Sequence, residues 1–295
     1  MVGVSPLIRP DRLAELLAGP EPPVVLDVRW RLGGPPARPD HLAGHIPGAV
    51  FLDLGTELAG PPVPAPGSGG RHPLPAAEDL ARVFAAAGVG ADSVVVAHDD
   101  ADGSVAARAW WLLRWLGLPA DRVAVLDGGW AAWVAGGYPV ATGESRVPAP
   151  GELGGRGGAM PVLDADAAGA LAGTGVLLDA RAAARYRGDT EPVDPRAGHI
   201  PGARGAPFGE HLGPDGHWRT PEELAGRFAG LGVSPDTPVG AYCGSGVTAC
   251  SVVLALEYAG LRPPDAPAAL YAGSWSEWSG QPHRPAATGP EPGGT

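Results

Sequence analysis

The sequence predicts an α/β protein of two tandem domains, each a parallel sheet flanked by helices, and three observations predict it. The stretch VVLDVRW…HLAGHIPGAVFLD (24–53) returns as VLLDARA…RAGHIPGARGAPF (176–208), with GHIPGA intact at 44–49 and 198–203. VAVLDGGWAAW (123–133) is echoed by AALYAGSWSEW (268–278), keeping the Trp-x-x-Trp spacing. Within each copy, short apolar runs bounded by turn residues alternate with longer stretches of helical period, the pattern of βαβ units.

The elements follow in order. VVLDV, VVVAH and VAVLD in the first copy, and VLLDA, VGAYC and AALYA in the second, read as buried strands because they are apolar on both faces. AARAWWLLRWLG and VTACSVVLALEYAG read as helices, each closed by a glycine. These elements divide the chain into a first domain (1–140), a linker (141–161), a second domain (162–280) and a tail (281–295). The linker has the Gly/Pro content and weak periodicity of a spacer, and the tail is expected to be disordered.

Composition narrows the function classes. A chain of 295 residues that is 44% apolar supports two ordinary cores without staples. No apolar stretch approaches the roughly 18 residues a membrane helix requires, and the start lacks the basic-then-apolar order of a secretory signal. Two cysteines seven positions apart cannot make a disulfide framework; on one helix they would stand about 10 Å apart. A reducing, cytoplasmic location is expected. The net charge of −11 argues against nucleic acid as a partner, and lysine is absent, so arginine or protonated histidine must hold any anionic substrate.

Chemistry concentrates in CGSGVTAC (243–250). In a parallel sheet, reactive groups gather beyond the carboxyl ends of strands, and Cys243 directly follows VGAY. Gly244 and Gly246 supply a tight turn, and a helix starts near Val247. Such a loop can turn the N–H groups of Gly244 to Thr248, Ser245, Gly246 and Val247 among them, toward an anion, and the helix N-terminus adds partial positive charge. A thiolate there is stabilised and nucleophilic near neutral pH. Cys250, inside an apolar helix, reads as a small buried hydrophobe. A phosphatase loop would need Arg six positions after the cysteine, where Ala249 stands. A zinc site would need more cysteines or clustered histidines, so no metal is expected. Sulfur transfer through a persulfide remains.

The tandem GHIPGA copies, the strand-ending cysteine in CGSGVTA and the DGGW and GSWSEW signatures resemble the two-domain rhodanese family of sulfurtransferases from about residue 5 to 280. Thiosulfate-using members carry basic residues at the second and third loop positions, whereas Gly244 and Ser245 match those that use 3-mercaptopyruvate. The resemblance implies a first domain without persulfide chemistry, since about His98 or Asp99 stands where Cys243 does. It also implies active-site roles for Asp53, His72 and Ser245, as a relay for the substrate thiol proton. Without the resemblance, His72 reads as a loop residue beside Pro73, and Asp53 as a helix cap before DLGTELA. His45 and His199, duplicated in both copies, read as structural hydrogen-bonders.

Two arginines of the family hold the substrate carboxylate, from the segment that here reads DARAAARYRGDTEPVDPRAGHIPG (179–202). Arg185 falls at the first position. At the second the chain has Val193, so Arg196 three residues later is the candidate, with Arg187 as a substitute; Asp189, Glu191 and Asp194 neutralise the stretch. The implied reaction moves sulfur from 3-mercaptopyruvate through Cys243 to a thiol such as thioredoxin or a small thiol, or to cyanide, without a cofactor. The alternatives are thiosulfate as donor and a non-catalytic binding module.

Overall fold

The structure, a computed structural model, describes residues 3–61, 69–145 and 149–293. It contains two compact units. The first comprises Met1–Ala59, Pro75–Met160 and Pro214–Trp218, and the second Gly60–Leu74, Pro161–Gly213 and Arg219–Thr295, as far as these are described.

Each unit is built on a five-stranded, wholly parallel sheet. In the first unit β1 (Leu7–Ile8), β2 (Val24–Asp27), β3 (Val50–Phe51), β4 (Val95–His98) and β5 (Val123–Leu126) lie in the order β1-β5-β4-β2-β3. In the second, β6 (Val162–Leu163), β7 (Val176–Asp179), β8 (Arg204–Gly205), β9 (Val239–Tyr242) and β10 (Ala269–Tyr271) repeat it as β6-β10-β9-β7-β8. All six apolar runs are strands, and β4 and β9 hold the central position of their sheets. The two apolar stretches form helices over Ala106–Trp115 and Ala249–Tyr258 that are buried along most of their length, which is why apolar residues dominate them. Among the described residues no helix is long and apolar enough to cross a membrane.

The repeated GHIPGA turn is locked onto each sheet by the same device. The guanidinium of Arg29 donates to Asp27 at the end of β2 and to the Gly44 carbonyl at 2.7 Å; Arg181 does the same for Asp179 and Gly198, at 2.6 Å. These four side chains are buried, so each charge is paired and hydrogen-bonded, as burial demands. His45 and His199 bond structurally: their Nδ1 atoms pair with the carbonyls of His41 and Tyr186, and their backbones bridge Ala141 and Ala287.

The structure departs from the expected division at three places. Residues 281–293, expected to be a disordered tail, pack into the second unit, because their carbonyls accept from donors that would otherwise be buried without partners: Trp278 Nε1 donates to Pro285, Arg196 Nη1 to Arg284 and the Gly202 N–H to Pro292. The described part of 141–160, expected to be a linker, lies along the first unit through Gly143 N–H to Leu42, Gly151 N–H to Ala85 and Ala159 N–H to Trp115. The rest of both expectations, 146–148 and 294–295, lies outside the described residues. The described residues of 60–74, from the first repeat, belong with the second unit.

Candidate active site

Cys243 leaves the central strand β9 and is 2% exposed. Its Sγ accepts the Gly246 N–H at 3.2 Å. Gly246 has φ 77, and a Cβ there would stand 2.4 Å from the Ala272 carbonyl, so only glycine closes this turn. The N–H groups of Gly244, Ser245, Val247 and Thr248 form no hydrogen bond to protein groups among the described residues, which leaves donors in the loop for a bound anion. Cys250 donates its thiol to the Gly246 carbonyl at 3.3 Å.

The cysteine backbone is held from the GSWSEW motif. Trp275 N–H donates to the Cys243 carbonyl at 2.9 Å and Ser276 N–H to that of Gly244 at 2.9 Å, while Cys243 N–H donates to Ser274 Oγ at 3.2 Å. In the first unit, Trp130 N–H donates to the Asp99 carbonyl at 2.9 Å. Asp27 pairs with His98 as Asp179 pairs with Tyr242, so Asp99 is the counterpart of Cys243. Its carboxylate accepts four loop N–H groups, from Ala101 and Gly103 on Oδ1 and from Val105 and Ala106 on Oδ2, at 2.9–3.0 Å. The strand-to-helix loop of this repeat is an anion nest, filled in the first copy by its own side chain.

Ser245 and His72 are brought together, with Nδ1 2.8 Å from Oγ. The second unit includes His72 because its strap is pinned there: Gly69 N–H donates to Glu277 Oε1 and Arg71 N–H to Ser276 Oγ, each at 3.1 Å. Asp53 lies in the first unit, where its Oδ1 accepts the N–H and hydroxyl of Thr56 at 3.0 Å, the geometry of a cap.

Arg185 is fixed by carboxylates. Its Nε and Nη2 donate to the two oxygens of Glu191 at 3.1 and 2.6 Å, and Nη2 also to Asp194 at 3.0 Å. Glu191 is gripped by Arg181 Nη1 at 3.2 Å, which ties Arg185 back to Asp179 at the end of β7. Burial pushes the Glu191 carboxyl up, but hydrogen bonds from Arg185 and from the Asp194 and Val193 N–H groups outweigh it and hold the group below its usual range. Burial dominates at Asp194, whose carboxyl is pushed up despite ion pairs with Arg71 and Arg185.

Arg196 is placed elsewhere. Its guanidinium donates to the carbonyls of Trp278, Ser279, Gln281 and Arg284 at 2.7–3.0 Å. Arg187 forms a surface pair with Asp189, and Val193 is 40% exposed. Instead Arg71, which the sequence reading passed over, reaches the loop: a Cβ on Gly244 would stand 3.0 Å from Arg71 Nη2 and 3.5 Å from Arg185 Nη1. Its only sequence signal was its place beside His72. Ser274 was missed too, although it stands where the first copy has Gly129. Among the described residues no group of three or more His, Cys, Asp or Glu could hold a metal ion.

Comparison with known proteins agrees with the fold and its duplication. The rhodanese-like domain model matches residues 9–136 and 164–281. A Pseudomonas aeruginosa protein, named provisionally as a 3-mercaptopyruvate sulfurtransferase, is 48% identical over 96% of this chain and 98% of its own. SseB of Mycobacterium tuberculosis, named provisionally as a thiosulfate sulfurtransferase, is 40% identical over 96% and 97%. The crystal structure of SseA from Escherichia coli, one of the 3-mercaptopyruvate sulfotransferases with the rhodanese fold, superposes with a TM-score of 0.78 at 33% identity, covering 92% of this chain and 99% of that one. The chain belongs to the rhodanese family and carries its domain twice.

Proposed function

We propose that the protein is a sulfurtransferase that takes sulfur from 3-mercaptopyruvate onto Cys243 and passes it to a thiol. The observation that carries this reading is the Gly246 N–H aimed at Cys243 Sγ at the end of the central strand. Beside it the loop has unspent N–H groups to hold an anionic sulfur.

In the first half-reaction the Cys243 thiolate attacks the thiol sulfur of 3-mercaptopyruvate. The S–S bond forms as the S–CH2 bond breaks, and the electron pair passes into the enolate of pyruvate. The proton leaving the substrate thiol reaches the enolate oxygen through Ser245 and His72, which are in hydrogen-bond contact. Arg185 holds the substrate carboxylate, its position fixed by Glu191. In the second half-reaction an acceptor thiol attacks the outer sulfur and Cys243 leaves as thiolate; cyanide does the same and departs as thiocyanate. Thioredoxin or a small thiol in the cytoplasm fits this chemistry. The inward carboxylate of Asp99 excludes a persulfide in the first copy. Thiosulfate is the second reading, favoured by the presence of two guanidinium groups beside the loop.

Incubating the protein with 3-mercaptopyruvate and no acceptor should add one sulfur to Cys243 in the mass spectrum, and Cys243→Ser should add none and release no pyruvate. A kcat/KM for thiosulfate far above that for 3-mercaptopyruvate would overturn the donor assignment.

A further inference from the structure

A carboxylate presents two oxygens to its site, and Arg185 has one nitrogen left to meet them. Its Nε and Nη2 are taken by Glu191 and Asp194, leaving Nη1 without a hydrogen bond among the described residues. Arg71 offers the complement. Its Nη1 donates to Asp194, its Nε is buried without a partner and its Nη2 makes no hydrogen bond among the described residues. Nη2 of Arg71 and Nη1 of Arg185 both lie over Gly244, the residue after Cys243, 3.0 and 3.5 Å from where its Cβ would stand. An unspent guanidinium corner is a strong, directional donor for a carboxylate or sulfonate.

We propose that Arg71 is the second anion-binding arm of the donor site and closes with Arg185 on the donor's anionic group. The proposal rests on the reading that Cys243 accepts sulfur from an anionic donor. Arg71 is built into place rather than waving in solvent. Its N–H is bonded to Ser276, and Gly70 before it has φ 71 with the Gly273 carbonyl only 2.3 Å from a would-be Cβ, so only glycine brings the strap this close. Asp194 accepts from both guanidinium groups and holds the two cations together. Residues from the first repeat thereby set the specificity of the second unit's loop.

The test uses full-length protein and two readouts. The first is kcat and KM for 3-mercaptopyruvate with cyanide as acceptor. The second is the rate of Cys243 alkylation by iodoacetate, an anion, relative to iodoacetamide, its neutral analogue; in both the S–C bond forms and iodide leaves. Arg71→Gln should raise KM ~10- to 100-fold with kcat nearly kept, as expected for losing a charge-assisted hydrogen bond. It should lower the iodoacetate to iodoacetamide ratio by about the same factor while leaving the iodoacetamide rate alone, and Arg71→Lys should recover part of both. A folded Arg71→Gln protein with unchanged KM and ratio overturns the proposal, and so does a loss of both alkylation rates together. If instead wild type takes no sulfur from the donor, the reading of Cys243 fails, and the alkylation ratio still decides for or against Arg71.

Discussion

Ser274 has φ 56, the one non-glycine residue in the left-handed region among those described, and its counterpart Gly129 has φ 53. A side chain there costs about 1 kcal/mol or more. The first copy avoids that cost with glycine; the second bears it where the hydroxyl accepts the Cys243 N–H and donates to the Tyr271 carbonyl at 2.8 Å. The strain therefore marks a positioning role for the hydroxyl. Ser274→Gly should gain about 1 kcal/mol of stability from relieved strain, offset in part by the lost hydrogen bonds, so that its melting temperature stays near wild type. Its kcat/KM should nonetheless fall ~10-fold, because Cys243 loses the anchor on its N–H while the Trp275 bond to its carbonyl remains. Ser274→Ala keeps the strain and loses the bond, so it should be both slower and less stable by about 1–2 kcal/mol. Thermal melts with steady-state kinetics separate the two, and a fully active Ser274→Gly protein would show that the hydroxyl does not position the cysteine.

At the scale of elements, the strand-to-helix loop is the unit that duplication preserved and then diverted. Asp99 accepts four N–H groups in a fully buried nest, so each carboxylate oxygen has two donors pointed at it. Burial pushes the Asp99 carboxyl up against the pull of these N–H bonds, so the cost of Asp99→Asn lies in putting an NH2 against two of the donors. It should destabilise the protein by about 2–4 kcal/mol while leaving turnover per folded molecule unchanged, read by denaturant unfolding and by activity normalised to folded protein. An Asn variant of wild-type stability would mean that the loop donors do not require an acceptor on both sides, and would weaken the same argument for Cys243. The elements were legible where periodicity had length to act. Six internal strands stand out as apolar runs because both of their faces are buried, while β1, β3, β6 and β8 are pairs of residues too short to show a pattern. The loop around Cys243 was legible because its glycines and its place after a strand are local signals. Arg71 was not, since its contact with the loop joins positions 71 and 244, and spacing carries no information across that separation. Glu191 and Asp194 suggested surface neutralisation by composition, yet their side chains are 4% and 2% exposed and they position Arg185.

Across the whole molecule, each unit is finished by chain that returns after its last helix and pairs with the histidine of its GHIPGA turn, His45 with Ala141 and His199 with Ala287. The second return was masked by its composition, since Gly and Pro enrichment suits an unpaired tail as well as a strap that serves through its carbonyls. What distinguishes them is where the buried donors of the rest of the unit find partners. Arg196 needs Gln281 and Arg284, Trp278 needs Pro285, Gly202 N–H needs Pro292, and His199 needs both Ala287 and Pro292. A chain ending at residue 280 leaves these groups facing a gap or imperfectly solvated. At about 1–3 kcal/mol for each buried group left unpaired, the loss rivals the total stability of about 5–15 kcal/mol expected for a domain. The truncated protein should therefore be insoluble or melt at least 10 °C lower, and its Cys243 loop should lose activity with it, because Trp278 and the helix Ser274–Gly280 carry both the strap and the backbone anchors of the cysteine. Differential scanning fluorimetry of chains ending at 280 and at 293 makes the comparison. Equal melting midpoints would return residues 281–293 to the status of a dispensable tail.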